Sequence, residues 1–206
     1  MPPPQVTAIV PMKPLAQAKM RLAPALDEEA RRTLSRRLLK GVLISALRCP
    51  AIAQVWVVGG DPCVRSLAEA QGATWLGELG RDLNETLWLA FQRCFDDGAA
   101  AALFLPGDLP LLQPQELKGL IAASGRLRSL VLVPAARDSG TNAMLVPRAL
   151  AFPPLLGKGS FQRHLGETSS LGYPVTLYHS PGLALDVDTL EDLRAWQAQA
   201  PEAATW

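Results

Sequence analysis

The chain has 206 residues, 49% of them apolar and 19% charged, with a formal net charge of +1. That composition excludes intrinsic disorder and fits a single domain over residues 1–206, with the ends, 1–4 and 201–206, expected to fray. Near-neutral charge and 6% aromatics argue against nucleic acid as a partner, which needs a basic face and stacking platforms.

Cys49, Cys63 and Cys94 match no metal or redox spacing and read as small core residues of a protein from a reducing compartment. The chain opens Met-Pro-Pro-Pro-Gln, without the charged region of a secretory signal, and its apolar runs fall short of a membrane span. The expectation is a cytoplasmic protein with no membrane partner.

A first apolar strand at 6–10 leads into a loop over 11–22 that holds Lys13, Lys19 and Arg21 and no acid. Cations clustered after a buried strand suit a polyphosphate, although a solvated basic loop is the plainer reading. The Walker A pattern is absent. A helix follows at 27–47, with Asp27 as N-cap, Glu28 and Glu29 in the first turn, and Leu34, Leu38, Val42 and Leu47 at helical spacing. Its arginines Arg31, Arg32, Arg36 and Arg37 read as a solvated face. A strand at 55–58 and helices at 62–71 and 83–95 come next, Asn84 reading as a cap on the last.

The strand at 101–105 ends in Pro106-Gly107-Asp108-Leu109-Pro110. A carboxylate there can hold a hard cation against phosphate oxygens, or simply sit in a turn. A helix at 114–123 and a strand at 130–134 precede the segment Asp138-Ser139-Gly140-Thr141-Asn142, which enters a strand at 143–146. Gly157-Lys158-Gly159-Ser160-Phe161 then runs into a helix at 160–169. Its backbone N–H groups, Lys158 and Ser160 suit an anion, and a capped helix after a turn explains them as well. His164 reads as a surface or core residue, and His179 ends a strand at 175–178.

A last strand at 184–187 carries Asp186, with Asp188 just beyond. Residues i and i+2 of a strand share a face, so the two carboxylates pair and, with Asp108, form a candidate magnesium site. The alternative is that Asp188 caps the helix at 190–199. Strands alternating with helices imply an α/β fold, with a mainly parallel mixed sheet flanked by helices and the ligand at the strands' carboxyl ends.

Taken together, Val10-Pro11-Met12-Lys13-Pro14-Leu15, Lys19-Met20-Arg21-Leu22, Gly107-Asp108-Leu109-Pro110, Gly140-Thr141-Asn142, Gly157-Lys158-Gly159-Ser160-Phe161 and Leu185-Asp186-Val187-Asp188-Thr189 resemble the phosphoenolpyruvate/2-phospho-L-lactate guanylyltransferases of coenzyme F-420 (deazaflavin) biosynthesis. The resemblance runs in order over roughly residues 6 to 194. It implies a single-domain, Rossmann-like nucleotidyltransferase fold of the GT-A type. It also implies transfer of GMP from GTP to a phosphorylated three-carbon acid, with release of pyrophosphate.

By motif, Asp108, Asp186 and Asp188 would hold Mg²⁺ (or Mn²⁺) and, with Lys19, form the catalytic set. Lys13, Lys19, Arg21 and Asp108 would bind GTP, and Thr141, Asn142, Gly157 and Ser160 the acceptor acid. Phosphoenolpyruvate is the first choice of acceptor, with 3-phosphoglycerate and 2-phospho-L-lactate behind it. Two positions depart from the family: Met20 replaces a frequent Ser or Thr, and Ser139 stands where glycine is common, which a modest change of loop conformation would accommodate. The product suits hand-off to the next transferase of the pathway, and a homo-oligomer is compatible with the chain.

Two rivals remain. A molybdopterin or sugar-phosphate nucleotidyltransferase of the same fold is disfavoured because 11–22 has no glycine. A non-catalytic nucleotide-binding protein is disfavoured by the three aspartates.

Overall fold

The computed structural model describes residues 5–136 and 139–200. Strand β1 (Val6–Met12) lies inside a seven-stranded sheet, between β2 (Ile52–Gly59) and β4 (Ala101–Phe104). The order is β3-β2-β1-β4-β6-β5-β7, with β3 at Thr74–Leu76, β5 at Leu130–Pro134, β6 at Thr141–Pro147 and β7 at Val175–Leu177. β6 runs antiparallel to both of its neighbours, and the remaining pairs are parallel. The expected mixed, mainly parallel sheet is therefore present.

Side chains alternate across each strand, so the sheet has two apolar faces. Val6, Ala8, Val10, Val55, Val57, Leu103 and Leu145 meet α1 (Glu28–Leu47), α2 (Pro62–Gln71) and α4 (Pro114–Ala123). Ile9, Trp56, Val58, Phe104, Leu132 and Met144 meet α3 (Leu83–Asp96) and α5 (Ser160–Ser170). A third cluster lies outside α1, where Leu22, Leu34 and Leu38 receive Leu185, Val187 and, from α7 (Leu190–Gln199), Leu193 and Trp196. That cluster fixes the segment carrying the last two aspartates. No helix among the described residues is long and apolar enough to cross a membrane.

Several expectations need correction. No strand forms at 184–187: Pro181–Ala184 is a short helix, α6, and the chain beyond it is extended but unladdered. The apolar–polar alternation there arises from packing onto α1, not from a sheet face. Edge strand β3 was not anticipated, because three residues are too few to show a period. Cys63 is exposed in the first turn of α2, unlike the buried Cys49 and Cys94. Arg31 is buried and donates from Nη1 to the Leu26 carbonyl at 2.9 Å, so the arginine run is not wholly a solvated face. Asp138 and the two termini lie outside the described residues.

Candidate active site

Four chain segments meet at the carboxyl edge of the sheet. The loop after β1 is made of two 3₁₀ turns, Leu15–Gln17 and Met20–Leu22. It is anchored from α2: Asp61 caps that helix by accepting from Cys63 and Val64 N–H, and it also accepts from Leu15 N–H at 2.7 Å. Burial would raise the Asp61 pKa, but those three N–H groups, with Leu15 first, hold it below the usual carboxylate value. Lys19 sits between the two turns in the left-handed region, φ +55°, a strained backbone for a residue with a Cβ.

That conformation aims the Lys19 ammonium at the aspartates. Nζ donates to Asp108 Oδ2 and, at 2.9 Å, to Asp188 Oδ1. Burial works against its charge, but the two carboxylates outweigh burial and raise its pKa. Arg21, largely exposed, reaches Asp188 at 3.5 Å. One oxygen from each of Asp108, Asp186 and Asp188 lies within 4.8 Å of the others.

Asp108 follows β4, and its carbonyl accepts from Val187 N–H at 3.2 Å. That bond stitches the extended segment to the loop, and with Leu185 and Val187 buried the pair Asp186 and Asp188 faces the site. Thr189, not Asp188, caps α7 by accepting from Asp192 N–H, which leaves Asp188 to Lys19. Glu116 of α4 holds the other end of this segment, accepting from Ser180 Oγ and from Gly182 N–H at 2.8 Å.

The three carboxyls differ in their surroundings. Burial, followed by repulsion from Asp108, pushes Asp186 up to about 6, although Asn142 Nδ2 donates to it at 3.2 Å. Burial acts the same way on Asp188, but Lys19, then Arg21 and Lys13, overcome it and lower its pKa. Asp108 Oδ1 is buried with no hydrogen-bond partner. A hard divalent cation, which takes carboxylate oxygens, suits this donor set and would satisfy that oxygen.

Asp108 and Asp188 open onto a cleft of about 750 Å³, also lined by Lys13, Lys19, Arg21, Val58, Glu78, Gly80, Thr86 and Phe104. That volume is in the range of small-molecule sites. A smaller pocket of about 220 Å³ is lined by Arg21, Ala136, Ala184, Asp186 and Asp188. The two openings share Arg21 and Asp188, so both border the carboxylate cluster.

Of the residues expected to hold the acceptor, Thr141, Asn142 and Ser160 are buried and Gly157 is exposed, and none of the four lines either opening. They are nevertheless linked. Asn142 bridges Asp186 and the Ala184 carbonyl, and Ser160 Oγ lies 3.3 Å from Thr141 Oγ1. Gly159 is the N-cap of α5, so Ser160 does not cap it. Ser139 holds φ +55° itself, so the loop keeps the left-handed turn glycine would give.

Sequence reasoning missed two connectors. Asn84 does not cap α3, because Asp82 does so by accepting from Glu85 N–H. Asn84 instead clamps the 150s loop, accepting from Leu156 N–H at 2.7 Å and donating to the Leu156 carbonyl. His164 is fully buried, with Nδ1 2.9 Å from Thr141 Oγ1 and Nε2 accepting from Leu155 N–H at 2.9 Å. Since Nε2 accepts, Nδ1 carries the proton and donates to Thr141, whose own hydroxyl hydrogen then points elsewhere. Burial, helped by Arg163, pushes the His164 pKa down to about 4, so the ring is neutral. Its position one turn beyond Ser160 was the sole sequence signal.

Comparison with known proteins agrees with this geometry. The chain is 38% identical over 193 residues to the phosphoenolpyruvate guanylyltransferase of Rubrobacter xylanophilus, covering 94% of each. It is 33% identical to the 2-phospho-L-lactate guanylyltransferase of Methanothermobacter thermautotrophicus, covering 90% of this chain and 81% of that one. Among solved structures, CMP:2-keto-3-deoxy-manno-octonic acid synthetase complexed with CTP superposes with a TM-score of 0.65 at 15% identity, covering 95% of this chain and 99% of that one. For 4-diphosphocytidyl-2C-methyl-D-erythritol synthase the TM-score is 0.63 at 17% identity, with 95% and 98% covered. These superpositions show that the fold is shared. The family model for guanylyl transferases of the CofC-like kind matches residues 6–197, and the chain belongs to that family.

Proposed function

We propose that this chain transfers GMP from GTP to phosphoenolpyruvate, with release of pyrophosphate. The observation that carries the reading is the cluster of Asp108, Asp186 and Asp188 around the Lys19 ammonium, at the junction of two openings. Its occurrence in a chain of the guanylyl transferase family supports the chemistry.

Mg²⁺ bound by the three aspartates would neutralise charge on the α-phosphate and polarise it toward attack. Lys13, Lys19 and Arg21 bind the triphosphate and take up the charge that develops on departing pyrophosphate. Lys19 must exchange its carboxylate bonds for phosphate oxygens when the nucleotide enters. The acceptor enters the smaller opening, where Asn142 acts on it through Asp186 while Thr141 and Ser160 brace the wall from behind, so that one of its phosphate oxygens faces the α-phosphorus in line. No side-chain nucleophile is required, because that phosphate is already ionised.

Phosphoenolpyruvate is preferred over 2-phospho-L-lactate and 3-phosphoglycerate on the names of the relatives at 38% and 33% identity. Hand-off of the anhydride product to a following transferase is part of the same proposal.

The test is pyrophosphate release from GTP and Mg²⁺ with each of the three acids, with ATP and CTP as controls. Release with GTP and phosphoenolpyruvate alone is expected, and silence with every acid overturns the reading. Asp108→Ala should lower kcat/KM by a factor on the order of a thousand or more.

A further inference from the structure

The cleft has a second end, away from the aspartates. Its walls there are Val58 near the end of β2, Glu78 and Gly80 in the segment after β3, and Leu83 at the start of α3. Asp108 follows β4 and Glu78 follows β3, three strand positions apart in the order β3-β2-β1-β4. At the usual spacing that is about 14 Å, the reach of a nucleoside with its α-phosphate held at Asp108. With the triphosphate at Lys13, Lys19 and Arg21, this end receives the base.

Glu78 is held there by a short relay. Gly80 N–H donates to Thr86 Oγ1 at 3.1 Å, which commits the Thr86 hydroxyl hydrogen to Glu78 Oε1 at 2.7 Å. Thr86 is buried in α3, so the relay has a rigid base. Gly59, at φ +80°, makes room beside the carboxylate: a Cβ there would fall 2.7 Å from Glu78 Oε2 and 2.7 Å from the Met12 carbonyl. No hydrogen bond among the described residues is recorded to Oε2. The other carboxylate at this end, Asp82, is occupied in capping α3.

We infer that Glu78 is the residue that selects guanine. An ionised carboxylate offers two acceptors side by side and no donor. Of the four common bases, guanine alone presents two adjacent donors on its pairing edge, the N1–H and the 2-amino group. Adenine and cytosine would each set a ring-nitrogen lone pair against the carboxylate. Uracil offers one donor flanked by two carbonyl oxygens. Leu83, exposed at the start of α3, supplies apolar surface for the purine plane. Thr86 is a positioning residue, acting through Glu78.

The inference rests on the proposal that GTP is the donor, so its test is made on binding rather than on turnover. Calorimetry with Mg²⁺ compares GDP, IDP and ADP on the wild type, Glu78→Gln and Thr86→Val, with circular dichroism confirming the fold of each variant. IDP lacks the 2-amino group, and the wild type should bind it about tenfold more weakly than GDP, the worth of one charge-assisted hydrogen bond. Glu78→Gln should weaken GDP on the order of a hundredfold, for two such bonds, and bring GDP and IDP within about twofold. Thr86→Val should move in the same direction by less.

A GDP-to-IDP ratio that survives Glu78→Gln overturns the inference, even where pyrophosphate assays uphold the reaction. A ratio that collapses supports it, even where no acid is guanylylated and the reaction must be rethought. A wild type that binds none of the three nucleotides overturns both.

Discussion

Replacing His164 with asparagine should remove a pH dependence of stability that the fold imposes on this ring. Its pKa is depressed by burial to about 4, against 6.5 for the unfolded chain. The unfolded state therefore takes up the proton first as pH falls, and the contribution to stability is complete above pH 6.5. It is lost progressively between 6.5 and 4. Linkage across that gap gives a loss of about 2 kcal/mol between pH 8 and pH 5. Asparagine at 164 does not titrate, although it leaves the Leu155 N–H short of a partner and so lowers stability at every pH. Asp186 works in the opposite sense, because its raised pKa relieves a penalty as pH falls toward 5. That effect is common to both proteins and cancels in their difference. Urea unfolding of metal-free wild type and His164→Asn at the two pH values reads the quantity directly. The advantage of the wild type should shrink by about 2 kcal/mol at the lower pH. An advantage equal at both values would show that the ring is not held neutral, and the acceptor role assigned to Nε2 at Leu155 N–H would fall with it.

Lys19→Gln should destabilise the metal-free protein by about 2 kcal/mol, since it leaves three carboxylates facing one another and Asp188 is partly solvated. Mg²⁺ alone should raise the Tm of that variant more than that of the wild type in differential scanning fluorimetry; equal responses would separate the lysine from the cation site. Ser139→Gly should gain about 0.5 kcal/mol in urea titration, the relief of left-handed strain at φ +55° less the added entropy of the unfolded chain. A loss instead would mean that the serine side chain contributes a compensating bond. Glu116→Ala should cost about 2 kcal/mol, because Ser180 and Gly182 lose a shared acceptor. It should also weaken Mg²⁺ binding by loosening the segment ahead of Asp186, and unchanged Mg²⁺ affinity would disconnect α4 from the site.

Legibility from sequence followed the reach of local signals. The helices at 62–71, 114–123 and 190–199 fall where the sequence places them, because caps, prolines and apolar spacing agree there. The segment at 184–187 shows a true period of two, yet it comes from extended chain packed on α1 rather than from a strand. The inference that Asp186 and Asp188 share a face survives, since it needs extended backbone and not a ladder. The placements of Asn84 and His164 were illegible because their partners lie at Leu156 and Thr141, 72 and 23 residues away. Glu78 gave no signal at all: a lone acid before a Gly-Arg-Asp turn becomes distinctive through Gly59 and Thr86, which the fold brings from either side.

The reversed course of β6 has a consequence for how such proteins diversify. It brings the start of a strand, Thr141 and Asn142, to the edge where the parallel strands end. On the proposed reading, the nucleotide wall comes mainly from residues before Gly125 and the acceptor wall mainly from those after it, with Arg21 and Asp188 shared by both openings. A recombination near the turn at Gly125, after α4, would exchange most of one wall and leave most of the other in place. If the proposed reading holds, a change of acceptor could be inherited largely as one contiguous segment.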